Sequence, residues 1–165
     1  MSERYTVRVA GSKLTFAAAH FITFDDGECE PLHGHDFRIV VELAGPLGPR
    51  QYVVDFTEVE AMMAELIAPL DHRVLLAEDH PEMEIVEQDA HYAIRLGRQR
   101  WLLPREGCTL VPVENTTAES MAEWLARELI EQIEERTGIQ PDWLAVEYHE
   151  GPGYSARFSL GTPPS

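Results

Sequence analysis

Residues 33–43 read HGHDFRIVVEL, two histidines followed by an alternating pattern. From His35 onward every second residue is large and apolar. The apolar series is Phe37, Ile39, Val41 and Leu43. Because successive side chains of a strand point to opposite faces, this pattern predicts a strand over His35–Leu43 with one buried face. His33 lies two residues before His35, so an extended chain presents both imidazoles on that same face.

Strand patterns also precede this stretch. The runs Tyr5–Val9 and Lys13–His20 are separated by Gly11-Ser12, which favours a hairpin turn between them. Leu14, Phe16, Ala18 and His20 alternate onto one face of the second run, so His20 is also expected to point inward. A further short strand is expected over Gln51–Val54.

Two amphipathic segments predict helices. The first runs from Thr57 to Ala68, with Asp55 as its N-cap and Pro69 at its end. The second runs from Thr117 to Arg136 and ends before Gly138. A hairpin is expected around Gly97, from His91–Leu96 and Arg100–Leu103, and the last two strands are expected at Trp143–His149 and Tyr154–Leu160. The order predicts an α+β fold, with two helices packed on one mainly antiparallel sheet.

Composition limits the function classes. The chain has 165 residues, of which 44% are hydrophobic and 25% charged, so one domain with its own core is expected. Lys and Arg number 13 against 29 Asp and Glu, a net charge of −16 that argues against binding to nucleic acid or to anionic membranes. With no long apolar run and no apolar stretch near the N-terminus, we expect a cytoplasmic protein. An anionic small substrate is still compatible, because a pocket needs only a few cations.

His20, His33 and His35 are poorly suited to a dry apolar face unless something satisfies their ring nitrogens. Hydrogen-bonded core histidines are one interpretation, and a zinc ion is the other. Three histidines with an open fourth position are typical of catalytic zinc. Cys29 leaves a choice, since it could close a structural zinc site as fourth ligand. Alternatively, its thiol, with a pKa lowered by the zinc and the imidazoles, could act as an acid or base.

An ordered set of motifs resembles the 6-pyruvoyl-tetrahydropterin synthase / 6-carboxy-tetrahydropterin synthase family and spans nearly the whole chain. The motifs are Phe16-Ala-Ala-Ala-His20, Cys29-Glu-Pro-Leu-His33-Gly-His35, Val54-Asp55-Phe56, Leu70-Asp71-His72, Glu114-Asn-Thr-Thr-Ala-Glu119 and Glu150-Gly-Pro-Gly. The resemblance implies a T-fold, a four-stranded antiparallel sheet with two helices on one face. It also implies homo-oligomers, trimers or hexamers, with active sites at subunit interfaces.

The resemblance assigns roles residue by residue. His20, His33 and His35 match the zinc ligands, and Cys29, Asp71 and His72 match the catalytic residues. Glu150 matches the carboxylate that binds the pterin, and Thr117 and Glu119 match a substrate-pocket motif. The substrate implied is 7,8-dihydroneopterin triphosphate, and candidates for binding its phosphates are Lys13, Arg38 and Arg73.

The spacing of Cys29 and His33 resembles the bacterial 6-carboxy type. That type forms 6-carboxy-5,6,7,8-tetrahydropterin, acetaldehyde and triphosphate on the route to queuosine. The 6-pyruvoyl synthase reaction and a non-catalytic zinc-containing pterin-binding protein are the alternatives. We expect a single tetrahydropterin-synthase-like domain over residues 1–165 with an insertion over roughly 79–112, which could cover the pocket, change an oligomer contact or alter substrate choice. Thr116 stands where the family motif has proline.

Overall fold

The structure is a computed structural model that describes residues 4–25 and 27–164. The elements run β1, β2, β3, α1, β4 to β8, α2, β9 and β10 along the chain. The strands are β1 (Tyr5–Val9), β2 (Thr15–His20), β3 (His33–Gly45), β4 (Arg73–Ala77), β5 (Glu84–Gln88), β6 (His91–Leu96), β7 (Gln99–Pro104), β8 (Cys108–Val111), β9 (Trp143–Glu150) and β10 (Ser155–Gly161). The helices are α1 (Phe56–Ile67) and α2 (Ala118–Thr137).

Strand β3 is the centre of the main sheet. It pairs antiparallel with β9 along one edge, from Phe37 opposite Glu150 to Ala44 opposite Trp143. Strands β1 and β2 share its other edge: β1 lies along the second half of β3, and β2 lies along the first half, with His20 opposite His33. The predicted hairpin at Gly11-Ser12 is therefore wrong, because β1 and β2 follow one line along β3.

The interruption between β1 and β2 has a local cause. The backbone N–H of Leu14 donates to the carbonyl of Gly11, and the carbonyl of Leu14 accepts from the N–H of Ile39. The chain thus makes a tight turn and rejoins the same ladder, while the Leu14 side chain is fully buried in the core. Glycine and serine mark a turn here, but the apolar Leu14 directs the chain back to the same edge.

The main sheet is mixed, which corrects the simple four-stranded antiparallel expectation. Its order is β10-β9-β3-β2-β4-β8, with β1 beside β3, and both β4 on β2 and β8 on β4 are parallel pairs. Parallel neighbours require a crossover connection, which residues 78–107 provide between β4 and β8. The predicted strand over Gln51–Val54 is also wrong: the segment forms bends, although Val53 and Val54 are buried.

Both helices pack on the face of the sheet that carries Phe37, Ile39 and Val41, in one apolar core. Helix α1 begins as predicted at the cap Asp55, whose carboxylate accepts from the N–H of Thr57 at 2.8 Å. Helix α2 ends at Gly138, which has a left-handed φ of 70°. The helix bounds differ from the predicted ones by one residue at each end. Among the described residues, neither helix combines the length and apolar character that crossing a membrane requires.

A second, three-stranded sheet of order β5-β6-β7 contains the predicted hairpin around Gly97. It packs beside the end of β2, where Trp101 stacks on Phe21 with ring centroids 4.6 Å apart and planes 10° apart. Cys29 and Cys108 contribute to the same apolar cluster. Since Phe21 directly follows His20, this small sheet supports the chain next to the histidines.

Phe37 connects the core to the histidine rings. Its ring stacks on that of Phe16 with centroids 5.0 Å apart, and it contacts His20 and His35 at steep ring angles, each with centroids 5.5 Å apart.

Replacing Phe37 with Ala is expected to lower the free energy of unfolding by about 3–5 kcal/mol, measured by urea denaturation in EDTA. Phe24→Ala is the matched control, because Phe24 is 51% exposed and its loss should change stability by less than about 0.5 kcal/mol. Equal effects of the two substitutions would contradict this role.

Candidate metal centre and active site

Three imidazoles converge where β2 ends and β3 begins. Their candidate donor atoms all lie within 4.8 Å of one another, and the Nε2 atoms of His33 and His35 are 2.9 Å apart. His20 is 1% exposed, and the other two are partly buried. The alternation inferred from the sequence thus brings all three rings to one point.

Backbone carbonyls set the tautomers of two of the rings. His20 Nδ1 lies 3.0 Å from the carbonyl of Thr116, and His33 Nδ1 lies 2.8 Å from the carbonyl of Pro31. A carbonyl only accepts, so each Nδ1 carries the proton and each Nε2 offers a lone pair. Zinc–nitrogen bonds of about 2.0–2.1 Å place tetrahedral ligand nitrogens roughly 3.4 Å apart. The convergent Nε2 atoms fit such an ion after small adjustments.

Burial favours the neutral form of two of the rings, His20 and His35. It lowers the pKa of His20 to about 4, opposed in part by the hydrogen bond to Thr116, and it also lowers the pKa of His35. A neutral imidazole is the form that binds a metal. His20 Nε2 is buried without a hydrogen-bond partner among the described residues. This orphaned nitrogen is the strongest single indication that the cluster holds a cation.

The carboxylate of Glu150 lies at the same site. Glu150 Oε1 is 3.8 Å from His20 Nε2, and Glu150 is opposite Phe37 in the β3–β9 pairing. Burial, followed by the charges of Glu30 and Glu119, raises the pKa of Glu150. Glu119 lies in the first turn of α2, and its role in substrate binding stays a prediction.

Cys29 occupies a loop beside the histidines. It pairs with Thr23 in an isolated β-bridge, and its Sγ donates to the carbonyl of Glu30 at 3.2 Å. Burial and the Glu30 carboxylate raise the pKa of the thiol in the chain alone. The expected lowering depends on bound zinc and stays a prediction. Among the described residues, the converging donor cluster contains the three histidines without Cys29.

Asp71 and His72 form a pair at a different place. Their Oδ1 and Nδ1 atoms are 2.9 Å apart, and Asp71 also accepts from the N–H of Ala17 at 2.9 Å. That hydrogen bond, and then the one from His72, lower the pKa of Asp71. Ala17 lies three residues before His20, about 10 Å along the strand, and its side chain is on the other face. The His72 side chain is 79% exposed, so one chain does not bring this pair onto the histidines.

The remaining predicted residues have other contacts. The hydroxyl of Thr117 accepts from the N–H of Ser120 at 3.3 Å and caps α2. Among the phosphate-binding candidates, Lys13 is 3.7 Å from Glu60, Arg38 is 3.4 Å from His149 on the opposite face of the sheet, and Arg73 donates to the carbonyl of His72. Of the three, Arg73 lies beside the Asp71–His72 pair.

Sequence reasoning missed Glu30 and Thr116 as parts of the site. Glu30 Oε2 accepts from the N–H of Ile22 at 3.3 Å and lies 4.0 Å from His33 Nδ1. Its position directly after Cys29 was the available signal. Thr116 was noted only as a departure from the family's proline, although its carbonyl holds His20.

The 6-pyruvoyl tetrahydropterin synthase family model matches residues 11–160. The chain belongs to this family. A Methanocaldococcus jannaschii protein, provisionally named a 6-carboxy-5,6,7,8-tetrahydropterin synthase, is 28% identical over 144 residues, which cover 87% of this chain and 88% of the relative. A 6-carboxy-5,6,7,8-tetrahydropterin synthase of Haemophilus influenzae is 32% identical over 65 residues, which cover 36% and 46% of the two chains.

Solved structures show the same fold. The 6-pyruvoyl tetrahydropterin synthase of Plasmodium vivax superposes with a TM-score of 0.90 at 23% identity, covering 98% of this chain and 100% of that one. Two further structures of the Plasmodium vivax enzyme carry alanine or cysteine in place of a glutamate described there as a catalytic residue.

The geometry predicts one zinc ion per chain after chelator treatment and reloading, measured by elemental analysis. His35→Ala should weaken zinc binding by more than about 100-fold, beyond the range found for outer-shell partners, in competition with a chromophoric chelator. His91→Ala is the control, because His91 lies in β6 outside the converging cluster. Unchanged zinc affinity in His35→Ala would reject the three-histidine site.

Proposed function

We propose that this protein is a zinc-dependent lyase that converts 7,8-dihydroneopterin triphosphate into 6-carboxy-5,6,7,8-tetrahydropterin, acetaldehyde and triphosphate, in a route to queuosine. The observation that carries the proposal is the group of convergent histidine Nε2 atoms with Glu150 3.8 Å away. Family membership and the names of the archaeal and bacterial relatives support the reaction class.

In this proposal His20, His33 and His35 hold the zinc, which leaves coordination positions for the side-chain hydroxyls of the substrate. Zinc bound there supplies Lewis acidity that makes the protons near those hydroxyls easier to remove. Two of the imidazoles are oriented before a metal would bind, since the carbonyls of Thr116 and Pro31 hold His20 and His33. Little reorganisation is then needed on binding.

Glu150 is proposed to bind the pterin ring. Its carboxylate can accept two hydrogen bonds from the amino group and ring N–H of the pterin. Burial and the charges of Glu30 and Glu119 raise its pKa, so the carboxylate is held in unfavourable surroundings. A ligand with paired N–H donors relieves this unfavourable burial, which favours a pterin over a ligand that offers only acceptors. Glu119 and the cap residue Thr117 border the same region.

Cys29 and Glu30 are the candidates for proton transfer next to the metal. The thiol of Cys29 has a raised pKa in the chain alone, so it is suited to hold and deliver a proton. Glu30 lies 4.0 Å from His33 and is a second candidate acid or base. The loop therefore offers a thiol and a carboxylate as candidate proton-transfer groups beside the proposed metal.

Asp71 and His72 are proposed to act in a neighbouring subunit's site within a homo-oligomer. They form an oriented carboxylate–imidazole pair, yet the imidazole is largely exposed and is attached to β2 at Ala17, whose side chain faces away from the histidine cluster of its own chain. A second copy that packs against this edge could receive His72 close to its own Cys29 and zinc. Arg73 would then lie near the phosphates of the substrate.

The reaction is tested by incubating the zinc-loaded protein with 7,8-dihydroneopterin triphosphate and identifying products by mass spectrometry. The expected products are 6-carboxy-tetrahydropterin and acetaldehyde. Cys29→Ala should keep its zinc and lose at least about 100-fold in turnover, the range for a lost proton-transfer group. Pyruvoyl-tetrahydropterin as product would favour the 6-pyruvoyl reaction. Unconsumed substrate, or loss of zinc from Cys29→Ala, would favour a non-catalytic zinc protein.

Shared sites predict complementation between inactive variants. His20→Ala and His72→Ala chains, each inactive alone, are co-expressed with different tags and purified as mixed oligomers. Roughly a quarter of the sites in a random mixture should be intact, because each intact site takes His20 from one chain and His72 from the other. Mixed oligomers without activity would place both residues in one chain's site. Mixing Cys29→Ala with His20→Ala is the control, since both changes affect the same chain's site.

A further inference from the structure

The dipeptide Asn115-Thr116, just before α2, contacts the chain that follows His20. Thr116 is 1% exposed, and its hydroxyl donates to the carbonyl of Phe21 at 3.0 Å. Its own carbonyl accepts from His20 Nδ1, also at 3.0 Å. Thr116 thus contacts two consecutive residues, one by its side chain and one by its backbone. These two bonds fix both the position and the rotation of the peptide that carries the His20 ring.

Asn115 makes a second, separate attachment two residues further on. Its Oδ1 accepts from the N–H of Thr23 at 3.3 Å, and its Nδ2 donates to the carbonyl of Thr23 at 2.9 Å. The side-chain amide therefore pairs with Thr23 as a neighbouring strand would. Thr23 is also the bridge partner of Cys29, and its hydroxyl lies 2.9 Å from His80 Nε2. Asn115 consequently fixes the position of Thr23, and the backbone of Thr23 in turn pairs with that of Cys29.

We propose that Asn115 and Thr116 are positioning residues with separate tasks. Thr116 directs His20 Nε2 towards the metal, and Asn115 sets where Cys29 lies relative to that metal. Neither side chain needs to touch zinc or substrate. The proposal rests on the proposed metal site, and it explains how a dipeptide that lies more than 90 residues after His20 and Thr23 couples two parts of one site.

The contacts around the loop show why hydrogen bonds are needed. Strand β2 ends at His20 and β3 begins at His33, so the intervening residues leave the sheet and return. Trp101 stacks on the Phe21 ring and resists displacement of that side chain. Apolar stacking is non-directional, however, so it does not fix the orientation of the adjacent peptide groups. The hydrogen bonds from Thr116 and Asn115 are directional and fix that orientation.

The role of Thr116 is tested by zinc affinity in Thr116→Val, which has nearly the same shape and lacks the hydroxyl. We expect binding to weaken about 10- to 100-fold, as for other outer-shell partners of metal ligands. The visible spectrum of the cobalt-substituted protein should shift, because the His20 ring changes orientation. Thr137→Val is the matched control: the hydroxyl of Thr137 donates to the carbonyl of Ile133 at the far end of α2.

Thr116→Ser keeps the hydroxyl and should restore zinc affinity to within about threefold of the unchanged protein, since one hydrogen bond is retained. This variant also covers the case in which Thr116→Val fails to fold. Zinc affinity of Thr116→Val within twofold of the unchanged protein would overturn the role, as would a Ser variant as weak as the Val variant or a Thr137→Val variant with the same loss.

The role of Asn115 is tested by alkylation of Cys29 with iodoacetamide in the metal-free protein, with Cys108→Ser removing the other thiol. Asn115→Ala should raise the alkylation rate roughly fivefold to tenfold, the ratio expected for the loss of one or two hydrogen bonds. Gln140→Ala is the control, because the Gln140 amide donates to Glu134 away from the site. An unchanged rate in Asn115→Ala, or an equal increase in Gln140→Ala, would overturn the role.

Both measurements are made without substrate, so their outcome does not depend on whether the proposed reaction occurs. If both effects are found and the pterin is not consumed, the positioning roles stand and the proposed function is rejected. If the unchanged protein binds no zinc, the metal site and the role of Thr116 are both rejected. The alkylation rates still decide the role of Asn115.

Discussion

The site depends on the register in which β2 pairs with β3. His20 is directly opposite His33, and Ala18 is opposite His35, so the three rings share one face of two neighbouring strands. A shift of one residue would turn His20 to the other face, because strand side chains alternate. The buried apolar residues that share a face with the histidines, such as Phe16 on β2 and Phe37 on β3, prevent this shift, because it would turn the residues of one strand out of the core. The same burial that makes the fold also fixes the three candidate metal ligands.

Polar atoms of the site that are buried without hydrogen-bond partners lower the stability of the folded chain. His20 Nε2, Glu150 Oε1 and the Tyr148 hydroxyl are buried without hydrogen-bond partners among the described residues, and all three surround Phe37. Burial raises the pKa of Tyr148 well above its usual value, and it raises that of Glu150. Each unsatisfied polar group costs about 1–3 kcal/mol. In the proposed bound state, a metal and a ligand with N–H donors would satisfy His20 Nε2 and Glu150 Oε1.

Alternation and composition predicted most of this arrangement. The inward direction of His20, His33 and His35, both helices with the N-cap Asp55 and the stop at Gly138, and the hairpin at Gly97 follow from local patterns. The parallel strands β4 and β8 do not, because five- and four-residue strands in a crossover region carry too short a pattern to distinguish from loop. The position of the Glu30 carboxylate, which together with burial raises the pKa of Cys29 in the chain alone, was also missed. Sequence shows that Glu30 is adjacent but not where its charge lies.

The parallel extension of the sheet has a consequence for the reaction. Strand β4 pairs with β2 through Ala18 and Ala19, so the residues just before β4 meet the strand at Ala17. This pairing orients Asp71 and His72 rigidly, yet it holds them on the far side of β2 from the rings of their own chain. His72 adopts a left-handed φ of 57°, which is uncommon for a residue other than glycine. In the proposed homo-oligomer, its imidazole, with the side chain 79% exposed, would complete a site that a second chain brings to it.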